Sequence, residues 1–81
     1  MWFVYVLQGV KSKTFYKGLT NDLDRRIAQH FLGRNQTTRK MLPVRLLHVE
    51  FCSSRLEARN LEKFYKSGFG REVLKEIADS L

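Results

Sequence analysis

Six consecutive apolar residues, Trp2 to Leu7 (WFVYVL), stand at the start of a chain of 81 residues. The run is rich in aromatic and β-branched side chains and does not alternate with polar ones. That is the pattern of a strand buried on both faces. It is too short to span a membrane and lacks a basic start and a cleavage signal. A chain of this length buries only roughly 60% of the surface it would expose unfolded. Its core is therefore thin, and it fits one small domain over residues 1–81, a sheet with helices. GVKSK (Gly9 to Lys13) reads as a turn and Thr14 to Leu19 as a second strand, so the two strands form a hairpin.

Thr20 or Asn21 is placed to cap a helix whose first turn carries Asp22 and Asp24, where carboxylates suit the helix dipole. This helix runs from about Asp22 to Leu32 and ends at Gly33. RNQTTRKMLP, residues 34–43, reads as a basic loop. A third strand follows from Val44 to Phe51. Ser53 or Ser54 caps a helix from Arg55 to Lys66, Gly68 and Gly70 break the chain, and Arg71 to Ala78 forms a short last helix. The element order is β-β-α-β-α-α, an α/β arrangement.

The formal net charge is +7, with a pI near 10.0. Residues 11–40 hold eight basic residues (Lys11, Lys13, Lys17, Arg25, Arg26, Arg34, Arg39, Lys40) against Asp22 and Asp24, which is +6 of that total. An excess gathered in one segment points to a polyanionic partner, most simply nucleic acid. Cys52 is the only cysteine, so an internal disulfide and a cysteine-based zinc site are both excluded. A soluble cytoplasmic protein is the expectation.

Helical geometry then separates neighbours. At about 100° per residue, Leu23, Ile27 and Phe31 form one stripe on the first helix. His30 lies beside that stripe with Arg26 one turn before it. Arg26 therefore borders the core, whereas Arg25 faces solvent. On the helix from Arg55, Ala58, Leu61 and Tyr65 form the apolar face, Glu62 edges it, and Glu57 lies farther away. Tyr5 and Tyr16 sit on the two strands of the hairpin. Taken singly, each residue has a structural reading: core aromatics, an arginine stem over apolar surface, a satisfied core histidine, a Glu62–Lys66 helix pair. Together, two tyrosines, a cation, a histidine and a lone carboxylate beside a basic loop suit phosphodiester hydrolysis. That reaction needs an activated water, a cation on the phosphate and help for the leaving oxygen. One carboxylate can hold one Mg²⁺ when waters and phosphate oxygens supply the other ligands.

In order and spacing, VYVL (Val4 to Leu7), YKG (Tyr16 to Gly18), DLDRRIAQH (Asp22 to His30) and EARNLEKFYKSGFGRE (Glu57 to Glu72) resemble a GIY-YIG nuclease domain, in particular the small stand-alone bacterial members. The resemblance spans essentially the whole chain. It implies a three-stranded antiparallel sheet flanked by helices and a metal-dependent DNA endonuclease activity, with a place in DNA repair or recombination. It carries Tyr5 and Tyr16 over as the tyrosines of the two half-motifs, Tyr16 helping to activate the attacking water. Gly18 closes the second half-motif and allows close backbone approach. Arg26 becomes the phosphate contact, Glu62 the Mg²⁺ ligand (Mn²⁺ as a substitute), and His30, near the site, a further catalytic candidate that would relay the proton taken by Tyr16. Lys11, Lys13, Lys17, Gly18, Arg34, Arg39 and Lys40 become the DNA-contacting set. The chain departs from the pattern at Phe3, where the naming glycine would stand, at Lys17 in place of isoleucine, and in lacking the asparagine that follows the glutamate in some relatives. A non-catalytic nucleic-acid-binding module with the same fold is the rival reading.

Overall fold

The computed structural model describes residues 1–81. It contains β1 (Trp2–Gly9), β2 (Phe15–Thr20), α1 (Leu23–Phe31), α2 (Gln36–Arg39), β3 (Val44–Cys52), α3 (Arg55–Lys66) and α4 (Gly68–Asp79). The three strands form one antiparallel sheet in the order β2-β1-β3. β1, the apolar run, is thus central, and Val4 to Gln8 are all buried.

The two faces of β1 do different work. Val4 and Val6 join Leu47, Cys52, Ala58, Tyr65 and Leu74 in the main core, so α3 and α4 cover that face. Leu47 reaches this core through a register shift, because Val6 pairs with His48 but Leu7 pairs with Leu46. Tyr5 and Leu7 point the other way and are equally buried. α1 and the segment through α2 are the elements left to cover them. A strand with no polar position in the middle is what this two-sided burial requires.

Local chemistry explains the helix limits. Asp22, not Thr20 or Asn21, is the N-cap of α1, accepting from Arg25 N at 3.3 Å. Thr20 acts one step earlier, its Oγ1 accepting from Asp22 N at 3.0 Å. At the other end Gly33 has φ +77. Gly33 N donates to His30 O and Arg34 N to Gln29 O, each at 3.0 Å. That bond pair is the Schellman closure, in which the left-handed residue is almost free only for glycine. The expected stripe on α1 is shifted: Phe31 is exposed, and His30 is the residue buried completely.

Two other expectations need correction. Residues 34–43 are not wholly loop, since Asn35 caps the short helix α2 by accepting from Thr37 N and Thr38 N at 3.0 Å. Gly68 and Gly70 lie inside α4 and do not break it. The break is Ser67, extended at ψ 165, which ends α3 and caps α4 by accepting from Gly70 N at 3.1 Å. Gly70 is needed for packing, because a Cβ there would overlap the Phe64 carbonyl. No helix is long and apolar enough to cross a membrane.

Candidate active site

The sheet register sets up the site. Tyr5 lies opposite Gly18, and Tyr16 opposite Leu7. The two tyrosines are therefore diagonal neighbours on one face, with ring centroids 6.3 Å apart. Gly18 has a specific task. A Cβ on it would sit 2.9 Å from Tyr5 Cε1 and closer still to Cζ and Oη. The space of the missing side chain is thus filled by the Tyr5 ring. Only with glycine here can Tyr5 lie flat across β2 and deliver its hydroxyl to α1. Gly18→Ala is expected to force the ring out at an overpacking cost of about 1–3 kcal/mol. In a domain of this size that is a Tm loss of at least about 4 °C. A melting curve that superimposes on wild type would remove this role.

At the Tyr5 hydroxyl three side chains meet. Tyr5 Oη is 2.8 Å from His30 Nε2, and Arg26 Nε donates to Tyr5 Oη at 3.3 Å. Arg26 also donates from Nη1 to Gln29 Oε1 at 3.1 Å. His30 packs against both tyrosines, the three rings forming a triangle with the His30 centroid 5.4 Å from that of Tyr5 and 5.1 Å from that of Tyr16. Its other nitrogen, Nδ1, is 2.7 Å from Thr38 Oγ1, which is itself fully buried. Burial and then the Arg26 charge push the His30 pKa down, so the imidazole is neutral near pH 7. Burial raises the Tyr5 phenol, and the Arg26 hydrogen bond only partly opposes that. Tyr5 is therefore a neutral phenol over the same range.

Glu62 approaches from α3. Ala58, Glu62 and Tyr65 are the buried residues of that helix, while Leu61 is only partly buried. The carboxylate thus occupies a position facing inward and not the edge. Its oxygens are met by Arg59 Nη1 at 3.9 Å and Lys66 Nζ at 3.5 Å. Both distances exceed those of charge-assisted hydrogen bonds. The Glu62 charge is felt at the Tyr5 phenol, where it adds to the upward shift. Glu57 has a separate, structural job, accepting from Ser53 Oγ at 2.8 Å and donating its N–H to Ser54 Oγ at 3.1 Å.

The remaining positive residues sort by place. Arg25 and Arg26 both line a polar depression of about 200 Å³ with Thr20, Asn21, Asp22 and Gln29. Arg25 is the exposed one of the two and Arg26 is half-buried. The turn carrying Lys11 and Lys13 is tied to the end of the 34–43 segment by Val10 N donating to Pro43 O at 2.8 Å. This brings Lys11, Lys13, Arg34, Arg39 and Lys40 to one end of the sheet, all exposed. Lys17 stands apart, opposite Val6 on the α3 side. Burial, then Arg71 and Lys66, lower its pKa. Two residues escape sequence reasoning altogether. Gln29 receives the Arg26 guanidinium, and its spacing of three from Arg26 on a helix was the available signal. Thr38 bonds His30 from another element, and no spacing announces that.

A family model, the GIY-YIG catalytic domain, matches residues 1–75. The chain belongs to the GIY-YIG family. It is a nuclease superfamily. UPF0213 proteins of Streptococcus pyogenes serotypes M3 and M5 are 42% and 40% identical over 65 residues, covering 79% of this chain and 70% of theirs. The solution structure of the UPF0213 protein BH0048 from Bacillus halodurans superimposes with a TM-score of 0.57 at 34% identity, over 95% of this chain and 85% of that one. The family match and the three-stranded antiparallel sheet agree with the sequence resemblance in fold and in extent.

Proposed function

We propose that this GIY-YIG protein is a Mg²⁺-dependent endonuclease that hydrolyses phosphodiester bonds in DNA. The observation carrying this reading is the convergence of Arg26, His30 and Tyr16 on Tyr5. Binding alone does not need such a set.

Arg26 spends Nε on Tyr5 and Nη1 on Gln29. The rest of its fork of five N–H donors is left for phosphate oxygens. Its geometry is fixed before substrate arrives, which is how a donor stabilises charge that develops only in the transition state. Tyr16 makes no hydrogen bond to Tyr5 or His30 and its hydroxyl faces the Arg26 guanidinium, so it is the tyrosine left to take the proton of the attacking water while its own phenolic proton passes to solvent. A relay from Tyr16 through His30 is not favoured, because both imidazole nitrogens are committed to Tyr5 and Thr38. As the water oxygen bonds to phosphorus, the bond to the leaving oxygen breaks and that oxygen collects a proton from solvent.

Glu62 fits a hard divalent cation. It offers inward-facing carboxylate oxygens held only by loose ion pairs, and a cation there would keep most of its own waters. Bound Mg²⁺ supplies Lewis-acid charge to the phosphate and lowers the pKa of water. The exposed cations Lys11, Lys13, Arg34, Arg39 and Lys40, with Lys17, supply sequence-independent contacts to the DNA backbone, and so a steep loss of affinity with salt. The general phosphodiester chemistry suits DNA repair or recombination.

The test is nicking of supercoiled and branched DNA by wild type with Mg²⁺, with EDTA, and with Mn²⁺ added back. Cleavage that vanishes on chelation and returns with metal is expected. Salt-sensitive DNA binding with no cleavage under any of these conditions would favour the non-catalytic binding module.

A further inference from the structure

Thr38, His30 and Tyr5 form a chain of hydrogen bonds, 2.7 Å and then 2.8 Å. Every member is at most 1% exposed. With His30 neutral, the chain carries three hydrogens, one on each of Thr38, His30 and Tyr5, and only two links between them. One hydrogen must therefore be left at an end. If Tyr5 donates to Nε2, Nδ1–H donates to Thr38, and the Thr38 hydroxyl hydrogen is stranded in a closed site. If Thr38 donates to Nδ1, Nε2–H donates to Tyr5, and the spare hydrogen sits on the Tyr5 hydroxyl. Stranding a buried donor costs about 1–3 kcal/mol. Tyr5 is as buried as Thr38, but its hydroxyl is bonded by Arg26, which lines the open polar depression, so an incoming oxygen can take the hydrogen at that end, whereas Thr38 lines no such opening. The Arg26 bond fits either direction, since Nε can only donate and a phenol oxygen has a second lone pair to accept from His30.

We infer that Thr38 is a positioning residue which donates to His30 Nδ1, fixes the Nε2–H tautomer, and so turns the Tyr5 hydroxyl into a hydrogen-bond donor toward the scissile phosphate. This rests on the nuclease reading only in its last step. Tyr5 is then not a base: its oxygen already accepts from His30 and Arg26, and the proton-accepting role falls to Tyr16 alone. A threonine on the short helix α2, in a segment that reads as a mere basic loop, thereby acts on the reaction through two other side chains.

Long-range ¹H–¹⁵N NMR on the intact protein near pH 7, without DNA or metal, reads the tautomer directly. A proton on Nε2 with Nδ1 as an unprotonated acceptor is expected in wild type. A proton on Nδ1 overturns the inference. In Thr38→Val the Nδ1 resonance is expected to move downfield as its donor is lost, and in Thr38→Ser to return. On a DNA substrate, Thr38→Val should lose roughly 10- to 100-fold in kcat, the size typical when the outer partner of a functional histidine is removed. KM should not change, and Thr38→Ser should recover most of kcat. Wild-type kcat in Thr38→Val, or no rescue by serine, overturns the positioning role. If wild type cleaves no DNA at all, the nuclease reading falls while the tautomer result still decides the hydrogen-bond direction.

Discussion

Glu62→Gln is expected to lower Mg²⁺-dependent cleavage by about a thousandfold while leaving the fold intact. A catalytic metal contributes several kcal/mol of charge stabilisation, and each tenfold in rate is about 1.4 kcal/mol. The amide keeps the volume of the carboxylate but makes a poor ligand for a hard cation. Stability should stay level or rise slightly. The carboxylate is nearly buried, and its ion pairs with Arg59 and Lys66 are long and involve side chains more than half exposed. Exposed cations of that kind compensate little of the cost of an inward carboxylate. Loss of activity without loss of stability is the mark of a residue retained for chemistry. Thermal melts and plasmid nicking on the same preparations make the comparison. If Glu62→Gln retains the metal-dependent rate of wild type, Glu62 is only the partner of Lys66. If both show the same trace of cleavage, that cleavage belongs to a contaminant.

What the sequence made legible follows the range of the forces involved. The central strand, the hairpin, a serine cap at Ser53 or Ser54 (Ser54 in the structure) and the stop at Gly33 are set by residues within a few positions of one another. Their side-chain types betray them. Helical periodicity separated Arg26 from Arg25 and Glu62 from Glu57 for the same reason. Boundaries shifted where a short polar side chain had more than one backbone N–H in reach, as with Asp22 in place of Thr20 or Asn21. Gly70 illustrates a different limit. Glycine is a helix breaker by propensity, but contact with the Phe64 carbonyl outweighs propensity, and the contact depends on how α4 folds back on α3. Helix α2 is short enough to be lost among basic residues, although Asn35 before Gln36 and Thr37 was a capping signal. Gly18 and Thr38 lay furthest out of reach. Their roles arise from register and from a bond between two helices, and neither leaves a trace in local spacing.

The second large effect separates the two adjacent arginines. Arg26→Ala is expected to reduce kcat by about 10²- to 10³-fold, the cost of deleting one preorganised donor to a developing oxyanion. Two things are lost together: the free guanidinium donors that would meet the phosphate, and the Nε bond that holds the Tyr5 hydroxyl. Arg26→Lys should recover little, because a single ammonium cannot hold Tyr5, Gln29 and a phosphate at once. Arg25→Ala should leave kcat within roughly threefold and act mainly on KM, as expected for a group that adds attraction without touching the reacting atoms. Arg25 lines the same polar depression, yet its charge is exposed and hence screened by salt. Raising the ionic strength should therefore shrink the Arg25→Ala defect and leave the Arg26→Ala defect in place. Steady-state kinetics of both variants at two salt concentrations measures this. Equal losses of kcat in the two variants would mean that the face of α1 does not divide chemistry from binding, and would undo the assignment of Arg26 to the phosphate.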